Sequence, residues 1–426
     1  MKRLLVTLLT AICGAALVGA YLVPTAEAAP YTPKNGVVFN NSSGPKASER
    51  RIQTTIDQAI SATPRGATIT MAMYLFNQYS TADRLISAHR RGVNVQFLID
   101  DGAAHGALSK LKKALGTNKQ ARSFVTKCKR SCMSNTAGST IHVKYYLFSQ
   151  SGNAKNVSII SSANPHGVNI YNSFNNSHTI VNNAVMYNSL RKYFADMLKD
   201  QTNLSYYRTT RTGAYTVYFY PRRPVRIHYL DVLKTVKCQT AKNMGSKGRT
   251  VVRLGMWGFT NPRMDVAKKL WSLHNAGCKV DVTLNRGRAS RTIMRQLLVK
   301  SKKHGQMTVA DAWRDKNRND YAESYIHHKA LIVNGWVEGR NQRLVYTGSQ
   351  NLTSNGSLYN DDMVLRIAHT PTYFAYSKNF SYIQKKAAKR LRSTPPPIVL
   401  KSKRHDARGL TPDQYTDRMT ELSIDS

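Results

Sequence analysis

Acidic residues are scarce in this sequence. Its 426 residues include 23 aspartates and glutamates against 63 lysines and arginines, which gives a formal net charge of +40 at pH 7. Solubility alone does not require an excess of this size. The charge therefore predicts a polyanionic partner or surface, such as nucleic acid, anionic phospholipid or another phosphate polymer, and does not choose among them.

Long apolar runs are also missing after the first thirty residues. A membrane-spanning helix needs about 18 or more apolar residues in a row, so no span is expected there. At the N-terminus, Lys2 and Arg3 precede the run LLVTLLTAICGAALVGAYLV, and the cleavage pattern AEA (26–28) follows it. This order is typical of a secretory signal peptide, with a retained membrane anchor as the alternative. We expect residues 1–28 to be removed and the protein to be secreted.

Cysteine is rare as well. Without Cys13 of the signal segment, four remain: Cys128, Cys132, Cys238 and Cys278. An even number in an exported chain is typical of two disulfides, for which three connectivities exist. We favour Cys128–Cys132 and Cys238–Cys278. A zinc site is the alternative, but the spacing lacks the second close pair of Cys or His that such a site uses.

An internal repeat organises the rest of the chain. A β-rich run, a helical segment and an alternating strand follow one another twice, at residues 67–76, 80–92 and 93–100 and at 250–259, 262–277 and 278–285. The spacing also repeats, because 50 residues separate Gly92 from His142 and Gly277 from His327. Coincidence does not preserve both order and spacing, so the chain contains a duplicated unit.

Strands that alternate with helices predict an α/β fold with mixed sheets and helices on both faces. We place the two units at residues 37–205 and 222–392, followed by a C-terminal tail at 393–426. Gly92 and Gly277 are expected to end helices in left-handed geometry. Large apolar side chains beside the strands are assigned to the core rather than to substrate contacts: Met73, Trp257 and Phe259.

Each unit carries a His-x-Lys motif beside a strand and a Ser-x-Asn turn after the next strand. The motifs lie in TIHVKYYLFSQ (140–150) and SYIHHKALIVNGW (324–336), and the turns close VSIISSAN (157–164) and RLVYTGSQN (343–351). Alternate residues of a strand face the same side, so His327 and Lys329 share a face while His328 points away.

Two histidines and two lysines in one cleft suit the cleavage of a phosphodiester without a metal or other cofactor. One histidine can attack phosphorus and form a phosphohistidine. The other can protonate the leaving oxygen and then activate water. Lysines and asparagines can bind the non-bridging oxygens, as Mg²⁺ does in many phosphoryl-transfer enzymes. The partner implied is a phosphodiester substrate, and no obligate protein partner is implied.

These paired motifs resemble the phospholipase D superfamily, whose mark is a duplicated His-x-Lys-x4-Asp followed by Gly-Ser-x-Asn and a later acid. The resemblance implies two homologous phospholipase D-like α-β-α repeats with mixed sheets, packed about a pseudo-twofold axis. It also implies functional residues: the catalytic pairs His142 with Lys144 and His327 with Lys329, and the phosphate-binding Ser162, Asn164, Ser349 and Asn351. By family analogy His142 is the nucleophile and His327 the acid.

The sequence departs from the family at its supporting positions. Ser149 and Asn334 stand where the family has the motif aspartate, so neither motif is complete. The later acid is Asp362 in the second unit, but the corresponding segment NNSHT (175–179) of the first unit carries His178. Because this acid orients a histidine in the family, we expect His142 to be held differently.

Three functions remain open. A secreted phospholipase D acting on phosphatidyl lipids is favoured, because both motifs in one chain suit the family's lipid enzymes. A secreted nuclease or a hydrolase of another phosphate polymer is next, since each phosphate contact of a basic protein releases counterions. A non-catalytic polyanion-binding relative is the third, motivated by the lost aspartates.

Overall fold

The computed structural model describes residues 31–103, 105–223, 228–315 and 322–395. The signal segment expected at residues 1–28 and the tail beyond residue 395 lie outside the described residues. Within those ranges, no helix is long and apolar enough to cross a membrane.

The first repeat is built on a seven-stranded sheet. Its strands, with one short strand that pairs elsewhere, are β1 (Gly36–Phe39), β2 (Thr68–Met73), β3 (Asn94–Asp100), β4 (Phe124–Cys128), β5 (Tyr145–Ser151), β6 (Ala154–Ser161), the short β7 (Ser173–Phe174) and β8 (Asn176–Ile180). Its helices are α1 (Lys46–Glu49), α2 (Arg51–Ser61), α3 (Tyr79–Arg90), α4 (Gly106–Leu115), α5 (Gly167–Tyr171) and α6 (Ala184–Met197).

The second repeat is built on a nine-stranded sheet. Its strands, again with one short strand apart, are β9 (Arg208–Thr212), β10 (Tyr215–Phe219), β11 (Val251–Met256), β12 (Lys279–Leu284), β13 (Thr308–Asp311), the short β14 (Tyr325–Ile326), β15 (Lys329–Val337), β16 (Arg340–Gly348), β17 (Met363–Ile367) and β18 (Lys389–Arg390). Its helices are α7 (His228–Lys234), α8 (Met264–Asn275), α9 (Arg291–Leu297), α10 (Asn355–Leu358) and α11 (Thr370–Tyr382), with a 3₁₀ turn at Asn261–Arg263 and a π-helical turn at Ile383–Ala387.

The two sheets have the same strand order, which confirms the duplicated α/β fold. The first runs β4-β3-β2-β5-β6-β8-β1 and the second β13-β12-β11-β15-β16-β17-β10, with β18 and β9 added at its edges. In both, the first three strands are parallel and the others antiparallel. The counterpart of β1, which pairs with β8, is β10, which pairs with β17.

Side-chain alternation along the strands divides the core into layers. In β2, Met71 and Met73 join a cluster packed with the helices of the first repeat, whereas Ala72 joins a central cluster. That central cluster takes residues from both sheets, including Ala330 and Leu365 of the second. Each sheet therefore buries one face against its own helices and contributes the other to the contact between repeats.

Two glycines end equivalent helices, as the sequence predicts. Gly92 follows α3 with φ +89°, and Gly277 follows α8 with φ +91°. Only glycine adopts this left-handed geometry without strain, and it turns the chain directly from the helix into the next parallel strand.

Candidate active site

The His-x-Lys motifs lie in the middle of the two sheets. Lys144 directly precedes β5, and Lys329 is the first residue of β15; each of these strands pairs with the central strand β2 or β11. His142, Lys144, His327 and Lys329 are all buried, none being more than 4 % exposed. His328 points to the other side, as expected, and its ring lies 6.0 Å from that of Phe39.

The histidine of each motif is held by the backbone of the other repeat. The amide of His142 donates to the carbonyl of Asp361 at 3.0 Å, and the amide of His327 donates to the carbonyl of Phe174 at 2.9 Å. The strands β7 and β14 pair in parallel beside this second contact. Such reciprocal bonds are the signature of a pseudo-twofold axis, and they bring both motifs to one interface.

The imidazole rings are oriented by the same crossed pattern. Nδ1 of His142 lies 2.9 Å from Oδ1 of Asp362, and Nδ1 of His327 lies 2.8 Å from Oδ1 of Asn175. Asn175 follows Asn164 by eleven residues, as Asp362 follows Asn351. Asn175, not His178, is therefore the counterpart of Asp362.

This geometry overturns the expectation that His142 has lost its carboxylate. Asp362 reaches across the interface to His142, and the histidine with a neutral partner is His327. His178 lies in β8, is fully buried and packs 5.5 Å from the ring of Tyr215. Burial lowers the pKa of His178 to about 3, so it remains a neutral core residue.

The two lysines face the motifs to which they belong. Nζ of Lys329 donates to Nε2 of His327 at 2.9 Å and to the carbonyl oxygen of the same residue at 3.1 Å. Nζ of Lys144 donates to the carbonyl of His142 and lies 5.3 Å from the ring centre of Tyr74. Two buried ammonium groups make this site attractive to an anion.

The serines of the Ser-x-Asn turns contact the side chains that hydrogen-bond to the histidine rings. Oγ of Ser162 donates to Oδ1 of Asn175 at 2.7 Å, and Oγ of Ser349 donates to Oδ1 of Asp362. The sequence assigns both serines to phosphate, but in the structure their hydroxyls bind the groups that orient the rings. The sequence pattern did not foresee this direction of the two hydroxyls.

The asparagines of the same turns bind backbone in matching ways. Oδ1 of Asn164 accepts from the amide of Leu75 at 3.1 Å, and Oδ1 of Asn351 accepts from the amide of Gly258 at 3.2 Å. Leu75 and Gly258 occupy equivalent positions just after β2 and β11. The turns are thereby fixed to the central strands, next to the histidines.

Ser149 and Asn334 lie away from the site. Oγ of Ser149 accepts from the amide of Thr68 at the far end of β2. Asn334 pairs with Val251 in the sheet, five residues along β15 from Lys329, a distance of roughly 16 Å at strand spacing. The lost motif aspartates therefore remove no group in contact with the histidines.

Carboxylates surround one histidine and not the other. Asp100 accepts from the amide of Ile141 at 2.8 Å, just before His142, and burial raises the pKa of Asp100 to about 7. The counterpart of Asp100 is Asn285, which accepts from the amide of Ile326 at 3.1 Å, just before His327. The symmetric scaffold therefore carries different groups around its two histidines: Asp100, Asp361 and Asp362 beside His142, and Asn285, Phe174 and Asn175 beside His327.

The surroundings of His327 lower the pKa of its ring. Burial lowers it well below its ordinary value, and the nearby cations of Lys329 and Lys144 lower it further. The influence of Lys144 also shows that the two motifs share one electrostatic environment. Burial raises the pKa of Asp361 well above its usual range.

Aromatic rings line both histidines. Tyr74 lies edge-on to His142 with ring centres 5.7 Å apart, and Trp257 lies edge-on to His327 at 5.2 Å. Trp257 is only 2 % exposed, in agreement with its assignment to the core, but it also forms a wall of the site. In the sequence, the match between Trp257 and Tyr74 in the two units could have indicated this second role.

The structure contains both disulfides that the sequence favours, Cys128–Cys132 and Cys238–Cys278. The first supports the site. The amides of Cys132 and Met133 donate to the carboxylate of Asp361 at 2.6 and 3.3 Å, and Asp361 holds the backbone of His142. The second disulfide joins Cys238, which precedes β11, to Cys278, which precedes β12, and neither cysteine contacts Asp361 or His142 in the bonds described above.

Removing the two disulfides separately should have different effects. Loss of the first should lower activity more, and loss of the second should lower stability more. Loop lengths predict a loss of about 2 kcal/mol for Cys128→Ser/Cys132→Ser and about 4 kcal/mol for Cys238→Ser/Cys278→Ser. Activity should fall about tenfold in the first variant and stay within about twofold in the second, because only the first contacts Asp361. Denaturant unfolding and kcat on the same preparations measure both; equal losses of kcat would contradict the coupling.

No group of three or more His, Cys, Asp or Glu side chains in the described ranges is arranged to hold a metal ion. The chemistry that the site itself offers is two imidazoles with distinct partners and two buried ammonium groups. This set can provide a nitrogen nucleophile, a proton donor and charge for an anionic transition state.

Comparison with known proteins agrees with this architecture. The sequence matches the family described as "Cardiolipin synthase, PLD-like domain" at residues 56–198 and 246–384. The fold is similar to polyphosphate kinase from Porphyromonas gingivalis, with a TM-score of 0.57 and 12% identity over 87% of this chain and 50% of that one. The chain thus spans about half the length of that kinase. No curated protein sequence matches it.

A second solved structure is similar along its whole length. This is phosphatidylserine synthase from Haemophilus influenzae Rd KW20, with a TM-score of 0.56 and 12% identity over 91% of this chain and 94% of that one. At this identity the likeness concerns the fold, in which two repeats form one molecule.

Proposed function

Because the chain belongs to the phospholipase D superfamily, whose PLD-like domain it matches in two segments, we propose that it is a phosphodiesterase that cleaves phospholipid head groups through a phosphohistidine. The observation that carries this proposal is the crossed pairing of His142 with Asp362 and of His327 with Asn175, which places both histidines at one interface.

The reaction proceeds in two displacements. Nε2 of His142 attacks phosphorus; the N–P bond forms, the P–O bond to the leaving group breaks, and the leaving oxygen takes a proton from His327. Water then attacks phosphorus and gives a proton to His327, while the N–P bond breaks and its electron pair returns to His142. Lys144 and Lys329 hold the non-bridging oxygens.

The partners of the rings support this division of roles. His142 becomes positively charged as the phosphohistidine forms, and the carboxylate of Asp362 stabilises that charge most strongly in the transition state. His327 loses positive charge as it gives up its proton, and the neutral Asn175 does not oppose that loss. Each partner therefore favours the change in charge that its histidine undergoes.

Phospholipid is the favoured substrate. The matched family is described by a lipid-synthesising enzyme, and the similarity to phosphatidylserine synthase extends over almost the whole of both chains. Nucleic acid or another phosphate polymer is the second candidate, favoured by the net charge of +40. From the pattern of residues 1–28 we also propose that the protein is secreted. From its net charge of +40 we propose that it binds a polyanionic partner or surface.

Substrate class can be tested with the mature protein in EDTA, using vesicles of phosphatidylcholine and phosphatidylglycerol beside a plasmid. We expect free head group from the vesicles, no loss of rate in EDTA, and a fall of about a hundredfold or more in product with His327→Ala. Nicked plasmid with intact lipid would assign the enzyme to nucleic acid. Activity that EDTA removes and added metal restores would refute the two-histidine mechanism.

A further inference from the structure

Asn175 occupies a position that is built for an amide. It is fully buried, and its Nδ2 donates to the carbonyl of Asn169 at 3.0 Å and to Oγ of Ser173 at 2.7 Å. A carbonyl oxygen only accepts hydrogen bonds, so this contact fixes which end of the amide carries nitrogen. Oδ1 must then face Ser162 and His327.

This orientation determines the tautomer of His327. Oδ1 of Asn175 can only accept, so Nδ1 of His327 must carry a proton. Nζ of Lys329 is an ammonium donor that lies 2.9 Å from Nε2 of the same ring. Nε2 therefore accepts and carries no proton. With one proton on the ring, His327 is neutral in this arrangement.

The other charged and titratable groups around His327 act in the same direction. They are Lys329 on its own strand, Lys144 and His142 from the first repeat, and the adjacent His328, and each disfavours a positive charge on the ring. Asp362, the carboxylate that could compensate, is bonded to His142 instead.

The equivalent position in the other repeat is different. Oδ1 of Asp362 contacts His142 and Ser349, while its Oδ2 has no hydrogen-bond partner among the described residues. A carboxylate at position 175 would instead direct its second oxygen at the carbonyl of Asn169. The local structure thus selects an amide behind His327 and accepts a carboxylate behind His142.

We propose that Asn175 is a positioning residue that keeps His327 neutral in the empty site, so that the ring takes up a proton only when an anionic phosphodiester binds. The inference rests on the proposed function and adds proton-linked binding to it. The phosphate draws Nζ of Lys329 away from Nε2, and its negative charge favours the imidazolium. Nε2 then takes a proton from solvent, and that proton passes to the leaving oxygen in the first displacement.

The test is nitrogen NMR of protein labelled with ¹⁵N-histidine, with His327→Ala to assign the signal. Sulfate serves as the anion because its own charge is constant between about pH 6 and 9. Wild type should show a neutral Nδ1-protonated ring without sulfate and an imidazolium with it. Asn175→Asp should raise the titration midpoint of the free ring by about one to three pH units and move the alkaline limb of kcat/KM the same way.

Asn175→Ala is a second variant that keeps the test possible if Asn175→Asp does not fold. It removes the acceptor without adding charge. It should leave His327 neutral and protonated on Nδ1, because Lys329 still donates to Nε2 and no carboxylate is added. A wild-type ring that is charged without sulfate or unchanged by sulfate, or a titration midpoint that Asn175→Ala raises as much as Asn175→Asp does, would overturn the proposal. These NMR signals do not depend on turnover. If the spectra are as expected but the protein hydrolyses no phosphodiester, the proposed function is refuted and the inference about Asn175 is not.

Discussion

Replacing His142 with alanine will abolish turnover, with a loss of about 10⁴-fold or more in kcat, because the proposed nucleophile of the N–P bond is removed. Replacing His327 with alanine will cost about 10²- to 10⁴-fold with an alkyl leaving group, the usual contribution of a positioned acid. With p-nitrophenolate, which leaves without a proton, His327→Ala should form the phosphohistidine and then hydrolyse it slowly. Mass spectrometry of base-quenched samples, in which the N–P bond is stable, would locate the adduct on His142.

His328→Ala is the matched control for this pair. It removes an imidazole adjacent to His327 whose ring packs against Phe39 on the opposite side of the strand and contacts only the backbone of Asn175, not its side chain. Its kcat should stay within about threefold of wild type, although a buried side chain is lost and unfolding becomes easier. An adduct on His327 in active enzyme would reverse the roles, and equal losses in all three variants would indicate a general loss of structure.

Exchanging Asp362 for asparagine will lower kcat by about 10²- to 10⁴-fold, the range seen when a carboxylate that orients a catalytic histidine becomes an amide. The new amide can still accept from Nδ1 of His142, but it brings no negative charge to balance the phosphohistidine. Formation of the adduct should therefore slow more than binding weakens. Single-turnover rates and KM separate the two effects.

Ser349→Ala is the control for Asp362→Asn. It removes the hydroxyl that donates to the same carboxylate oxygen and leaves the carboxylate and its contact with His142 in place. We expect less than about a tenfold fall in kcat. If Asp362→Asn is no worse than Ser349→Ala, negative charge behind His142 is not what the reaction needs.

The sequence was informative where the signal is local or repeated. The duplicated order of strands and helices, the glycines after α3 and α8, and the orientation of His328 all follow from short-range patterns. The first two are visible because each segment occurs twice at the same spacing. The arrangement of seven equivalent strands then follows from the duplication itself.

The sequence was uninformative about contacts that cross between repeats. Asp362 serves His142, which is 220 residues away along the chain. Reasoning within one unit assigned the acid to the wrong histidine and led to His178. The equal eleven-residue intervals after Asn164 and Asn351 could have identified Asn175. The direction of the Ser162 and Ser349 hydroxyls could not be read, because a motif specifies positions and not rotamers.

The reciprocal bonds of His142 to Asp361 and of His327 to Phe174 have a consequence during synthesis. The first repeat leaves the ribosome with His142 but without the backbone and the carboxylate that place it. The site around His142 is therefore complete only when β17 of the second repeat, which Asp361 and Asp362 directly precede, has joined the fold. A half-made or partly unfolded chain therefore lacks the arrangement on which the proposed activity depends.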